Sequence, residues 1–169
     1  RLNPVPGLRG SLLLDDSYGT SPAAVEAALE TLAALEGRRK IAVLGDMLEL
    51  GDFEAAGHEQ VGRKAAAVVD LLVTRGDRAR RIAEAARTAG LPPEQAVMTY
   101  TAEDAARAVL AELAPGDLVL VKGSLATRMG YCAAELLLAG KTNLMVGVGE
   151  DGATTTSPLE DILKQEHTL

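Results

Sequence analysis

The sequence predicts a doubly wound α/β fold, a mostly parallel sheet of five to six strands with helices on both faces in a Rossmann-like arrangement. Three observations predict it. Short apolar runs alternate with longer segments of helical periodicity along most of the 169 residues. Helix-start signals stand just before several of those segments. The run Leu118 to Val121 is apolar throughout, as a strand covered on both faces requires.

Taken in order, Ser11 to Asp15 reads as the first strand, and Ser21 then caps a helix with Pro22 at its first position. Val25, Leu29, Leu32 and Leu35 recur at helical spacing, and Gly37 closes the helix. Arg38 to Lys40 follow at the helix C-terminus, where the dipole favours cations. Ile41 to Leu44 is the second strand, Gly45 to Gly51 a loop, and Asp52 to Val68 a helix. Leu71 to Thr74 is the third strand, after which Asp77 caps a helix carrying Ala79, Ile82, Ala83 and Ala86 and ending at Gly90. Ala96 to Thr99 is the fourth strand, and Thr101 to Asp104 has the spacing of a capping box. The helix it opens buries Ala105, Val109 and Leu113 and breaks at Pro115-Gly116. After the fifth strand, Leu118 to Val121, Ser124 opens a fifth helix with Met129, Cys132 and Leu136 on one side.

The two ends read differently. Arg1 to Leu8, rich in Pro and Gly, is either an edge strand or the remnant of an interdomain linker. A chain cut from a longer protein accounts for such a start better than a natural N-terminus. Beyond Gly140, Asn143 to Val148 reads as a sixth strand, Glu150 to Thr156 as a polar loop, and Ser157-Pro158-Leu159-Glu160 as the cap of a last short helix. Residues 1–140 are thus expected to form one domain, with 141–169 an extension to which the sequence assigns no role.

Composition removes several classes of function. A net charge of −7, with only short basic clusters, argues against nucleic acid as the main partner. No Trp, one Phe and three Tyr leave little to stack on bases. No apolar run reaches the roughly 18 residues needed to span a bilayer, so a membrane partner is not expected. The single cysteine, Cys132, allows no internal disulfide and fits a reducing cytoplasm. Gly140-Lys141-Thr142 imitates the end of a phosphate-binding loop, but Glu135 stands where that motif needs glycine, and the match follows a helix instead of a strand.

In an open parallel sheet ligands bind at the carboxyl ends of the strands. Those ends read Asp15-Asp16-Ser17-Tyr18, Gly45-Asp46-Met47-Leu48-Glu49, Thr74-Arg75-Gly76-Asp77, Thr99-Tyr100 and Lys122-Gly123-Ser124. Asp15 has a competing role as a turn former. Lys122, leaving a buried strand beside Gly123 and the cap Ser124, would set a cation and free N–H groups around one point, an arrangement suited to a phosphate or carboxylate oxygen. His58 and His167 are the only histidines, and neither has a second ligand at metal spacing. No Ser–His–Asp partnership is evident. The edge reads as half a site, with no complete catalytic set.

Three stretches resemble the C-terminal domain of the Mur ligases, within them the branch that adds D-alanyl-D-alanine to a muramoyl tripeptide. They are Leu14-Asp15-Asp16-Ser17-Tyr18 running on to Ser21-Pro22, then Lys40 to Gly51 with His58 and Gly62 following, and Gly116 to Ser124. The likeness covers about Leu2 to Leu138 in order and spacing. It implies the last domain of a three-domain, cytoplasmic, ATP-dependent ligase. Such an enzyme forms an acyl phosphate on a UDP-muramoyl-tripeptide with ATP and magnesium, and the amine of D-alanyl-D-alanine then attacks. Phosphate loop, magnesium ligands and catalytic residues belong to the central domain, absent here with the N-terminal one, so this chain alone is expected to be inactive. The resemblance further implies that Asp16, Ser17 and Tyr18 touch the nucleotide, and that Lys122, Ser124, Arg128, Asp46 and Glu49 touch substrate. The chain departs from the family pattern at Gly19-Thr20-Ser21, usually Asn-Ala-Asn, at Leu125, usually Arg, and at Gly130, usually Glu.

Two rival readings differ in class. A receiver domain would use Asp15, Asp16, Thr99 and Lys122, but needs a phospho-accepting aspartate after its third strand, where Thr74-Arg75 stand. A dinucleotide-binding module needs Gly-x-Gly-x-x-Gly after the first strand, where Asp15-Asp16 would repel a pyrophosphate.

Overall fold

The computed structural model describes residues 2–17, 20–124, 144–148 and 154–158. The chain divides into two compact units, Arg1–Leu137 and Leu138–Leu169.

In the first unit the elements run β1 (Asn3–Pro6), β2 (Leu12–Asp16), α1 (Pro22–Ala34), β3 (Lys40–Gly45), α2 (Glu54–Ala66), β4 (Leu71–Arg75), α3 (Arg80–Thr88), β5 (Ala96–Thr99), α4 (Ala102–Glu112) and β6 (Leu118–Lys122). One six-stranded sheet has the order β1-β2-β6-β3-β4-β5. All its pairs are parallel except β1 with β2. The N-terminal segment is therefore an edge strand, and Pro4 and Pro6 suit an edge, where a missing N–H costs least. β6, last in sequence among the parallel strands, sits between the first two. A receiver domain carries its parallel strands in a different order, 2-1-3-4-5, so topology excludes that rival.

Alternation along the strands explains the two layers. Ala42 and Leu44 of β3, with Leu14, Leu72 and Leu120, pack against Val25, Leu29 and Leu32 of α1, Val61 of α2 and Ile82 of α3. Ile41 and Val43, with Leu13, Val73, Val119 and Val121, pack against Ala105, Ala106 and Val109 of α4. Both faces of the sheet are thus covered, as the apolar run in β6 foretold. Helices α2 and α3 approach very closely at Gly62, where a Cβ would stand 2.3 Å from the Ile82 carbonyl oxygen.

Local signals place both ends of α1 and the start of α4. The Ser21 hydroxyl accepts from the Ala24 N–H, with Pro22 opening α1, and the Thr101 hydroxyl accepts from the Asp104 N–H at the start of α4. The Lys40 ammonium donates to the Ala33 carbonyl at the end of α1. That helix ends at Ala34, before Gly37, because Leu35 is already extended (φ −79°, ψ 143°).

Three expectations need correction. Asp77 does not cap α3; the Ala79 N–H at its start donates instead to Asp46, 2.7 Å away on the β3–α2 loop. Asn143 to Val148 adds no strand to the main sheet. In the second unit β7 (Leu144–Val148) pairs antiparallel with β8 (Thr154–Pro158), a separate two-stranded sheet. Ser157 and Pro158 are accordingly strand residues, not the start of a helix: the β-branched Thr154 to Thr156 find a ladder partner, and local cap chemistry yields to it. The fifth helix expected from Ser124 lies outside the described residues.

Opposite the strand carboxyl ends, Arg39 grips the fully buried Asp117 bidentately, Nε to Oδ1 at 3.2 Å and Nη2 to Oδ2 at 2.8 Å. Asp117 also accepts from the Ala114 N–H at 2.9 Å. Burial pushes the Asp117 carboxyl up. The Arg39 hydrogen bonds, the Ala114 N–H and the charges of Arg39 and Arg38 outweigh it and hold the group below the ordinary carboxylate range. A depressed carboxyl stabilises the fold at every pH above its unfolded value near 4, and that contribution fades as pH falls through the lower folded value. Acid titration of stability should therefore show a loss below about pH 4 that Asp117→Asn flattens, at a cost of about 2 kcal/mol at neutral pH. An Asp117→Asn variant whose stability follows pH as the wild type does would remove Asp117 from that role.

Candidate functional site

Strand order decides which sequence-distant residues meet. β6 pairs with β2 on one side and β3 on the other, so Lys122 lies opposite Asp16 and opposite Leu44. The Lys122 ammonium donates to Asp16 Oδ2 at 2.7 Å, with the two side chains only 3% and 10% exposed. A lysine taken this far from water needs an anion beside it, and the strand register supplies one. Ser124, two residues beyond, is half-buried.

On the loop leaving β2, Asp15 Oδ1 accepts from the Ser17 N–H at 3.1 Å, the turn-forming role foreseen for it. Asp15 shapes the turn, and Asp16 reaches Lys122. Ser17 is half-buried at that turn, and the Thr20 hydroxyl is buried with no hydrogen-bond partner among the described residues. Tyr18 and Arg128, both expected at the site, lie outside the described residues.

The loop leaving β3 is built from inside. Asp46 is 8% exposed, and its carboxylate fills the space where a Cβ on Gly76 would stand. Gly76 has φ +112°, so the absent side chain serves both the left-handed turn and the carboxylate. Met47 is fully buried, and its N–H donates to His58 Nε2 at 3.1 Å, while His58 Nδ1 bonds the Glu54 carbonyl at 2.7 Å. An amide donating to Nε2 requires that nitrogen to be bare, so the proton sits on Nδ1 and the ring is neutral. Glu54, the first residue of α2, also pairs with Arg78 at 2.8 Å and so links the start of that helix to the turn before α3. Glu49 alone of the loop's acids combines exposure with a left-handed backbone, φ +63°.

The expected residues thus fall into groups. Asp16 and Lys122 are joined, with Ser17 and Ser124 on the adjoining loops. Asp46 is spent on the start of α3, and Glu49 stands out in solvent. The sequence reading missed the bonds of His58, because the Met47 amide it accepts from is fixed only once loop and helix have packed. At the far strand ends, Thr99 Oγ1 donates to the Thr74 carbonyl at 2.8 Å, and Tyr100 is 60% exposed.

Among the described residues no group of three or more His, Cys, Asp or Glu could hold a metal ion. None of their helices is long and apolar enough to cross a membrane. A shallow groove of about 300 Å³ between α2 and α3 is lined by Glu59, Arg63, Arg81, Glu84 and Thr88, and shares no residue with the strand-end edge.

Comparison with known proteins bears on this geometry. The chain is similar to the UDP-N-acetylmuramoyl-tripeptide–D-alanyl-D-alanine ligase of Bacillus subtilis, 33% identical over 81% of this chain and 30% of that protein. Among solved structures it resembles the MurF ligase of Thermotoga maritima in complex with ADP, with a TM-score of 0.68 and 27% identity over 80% of this chain and 30% of that one. It also resembles MurF of Acinetobacter baumannii, with a TM-score of 0.69 and 30% identity over 81% and 30%. The chain therefore spans about 30% of the length of the relatives it matches. A family model described as the Mur ligase glutamate ligase domain matches residues 1–125, and the chain belongs to that family.

Proposed function

We propose that this chain is the C-terminal domain of a cytoplasmic ligase that joins D-alanyl-D-alanine to UDP-N-acetylmuramoyl-tripeptide at the expense of ATP. The observation that carries the reading is the match over about four fifths of the chain to ligases bearing that name, at 33–36% identity. On this reading residues 1–140 are the domain proper and 141–169 an appended segment. The N-terminal and central domains of the same longer protein are its partners, and neither nucleic acid nor membrane is.

ATP supplies the phosphoryl group that activates the tripeptide carboxylate. In this chain Asp16, with Ser17 and Tyr18, would meet the nucleotide, and the buried Thr20 hydroxyl, lacking a partner among the described residues, fits a polar ligand completing that loop. Lys122, Ser124 and Arg128 would meet substrate anions and Glu49 would serve the acceptor side, while Asp46, expected there too, is held by the Ala79 N–H and would act only by fixing the loop that carries Glu49. On this reading the Mg2+ ligands fall to the central domain. The domain's own contribution is closure: it covers the reacting centre, excludes water and presents the strand-end charges.

The test is ATP-dependent phosphate release with muramoyl-tripeptide and D-alanyl-D-alanine, by the full-length ligase and by this chain alone. Turnover is expected only in the full-length protein, falling at least about a hundredfold with Asp16→Ala. Release by the isolated chain, or an unaffected Asp16→Ala, would move the chemistry elsewhere.

A further inference from the structure

The loop after β3 binds Asp46 and several backbone groups inside the fold and leaves two carboxylates exposed, Glu49 and Asp52, of which only Glu49 has a left-handed backbone. Asp46 is bound to Ala79, the Met47 N–H to His58, and the Leu50 carbonyl to the Phe53 N–H. Glu49 is exposed and has no hydrogen-bond or ion-pair partner among the described residues. Its backbone is left-handed at φ +63°, a conformation that costs a non-glycine residue free energy, and its exposed side chain recovers none of it within this fold. His58 is the reverse case. It is fully buried with both ring nitrogens engaged, so it can reach no ligand and can act only through what it holds. What it holds is the amide two residues before Glu49.

The loop also stands in the right place. β3 is the neighbour of β6, so it rises beside the strand end that carries Lys122. A single carboxylate suits an ammonium group, whereas a metal ion asks for several ligands, and no such group exists among the described residues. Of the reactants in the proposed ligation, ATP presents phosphates that Glu49 repels, and the nucleotide-linked peptide enters through the carboxylate that is activated. The acceptor dipeptide arrives with an ammonium.

We infer that His58 is a positioning residue which, through the Met47 amide, holds Glu49 out to receive the ammonium group of the acceptor dipeptide. The inference rests on the ligase reading above.

Steady-state kinetics of the full-length ligase test it. Glu49→Gln should raise the KM for D-alanyl-D-alanine about tenfold and leave the KM for ATP and for the muramoyl tripeptide unchanged. His58→Leu, which leaves the Met47 N–H without an acceptor, should do the same. His58→Gln retains an acceptor and should return the dipeptide KM to within about threefold of wild type. A purely structural histidine would lower the melting temperature in both His58 variants without this split. An unchanged dipeptide KM in Glu49→Gln overturns the inference even if His58→Leu does not fold. So does a rise confined to the tripeptide KM, or a fall in kcat alone. A wild-type full-length protein with no ligase activity would instead overturn the ligase reading, and is told apart because no variant is needed to see it.

Discussion

Lys122→Met is expected to destabilise this chain by about 3 kcal/mol, because it strips the Asp16 carboxylate of the ammonium 2.7 Å away while leaving that carboxylate largely buried. The double variant Asp16→Leu/Lys122→Met removes both charges and should recover most of the loss, since an apolar pair of similar volume is often no worse than a buried ion pair. Urea denaturation of the isolated chain reads both. On the proposed ligase reading activity should part company with stability: in the full-length protein neither variant is expected to turn over at more than about a hundredth of the wild-type rate. A double variant as unstable as the single would mean that the two side chains do not act as a unit. A stable, active double variant would mean that the pair holds the sheet and takes no part in the reaction.

Gly62→Ala should destabilise by about 3 kcal/mol, although alanine is the better helix former by about 1 kcal/mol. The new methyl would stand 2.3 Å from the Ile82 carbonyl oxygen and 2.7 Å from the Ala85 Cβ, and the first of these is backbone that no rotamer change can move. Helices α2 and α3 would have to separate. For a chain of this size the penalty corresponds to a fall of roughly 10 °C in Tm. Gly90→Ala makes the control: its φ is +108° but no atom lies within 4 Å, so it carries backbone strain without a clash. A Gly62→Ala chain as stable as wild type would show that the two helices are free to shift apart.

The features legible in the sequence are those whose physics is local. Ser21 and Thr101 cap helices that begin one residue later, with bonds to N–H groups three residues on, so spacing alone reveals them. The unbroken apolar run Leu118 to Val121 declares a strand buried on both faces. What stayed hidden depends on strand order, which periodicity does not encode. Asp77 looked like the cap of α3 because it sits at cap distance in the chain, but Asp46, 33 residues away, reaches the Ala79 N–H first in space. Asp16 and Lys122 were both marked as strand-end residues, yet nothing in their surroundings said that β6 would insert beside β2 and join them across 106 positions. The family resemblance, carried by the segments around those same residues, supplied the functional reading that local chemistry alone left as half a site.

The place of β6 between β2 and β3 also governs how the chain is born. As it leaves the ribosome, β3, β4 and β5 with α2 and α3 can pair in the order of their synthesis, each strand meeting a neighbour already made. The β1–β2 hairpin has no such partner. Its inner edge stays open until Leu118 to Lys122 emerge and slot in, closing a loop of about a hundred residues. Folding thus ends in an insertion and not in the extension of an edge, the kind of long-range pairing that makes a late step slow. Until that step, two half-sheets with bare central edges coexist, and in this interval the nascent domain is most exposed to pairing with the wrong strand.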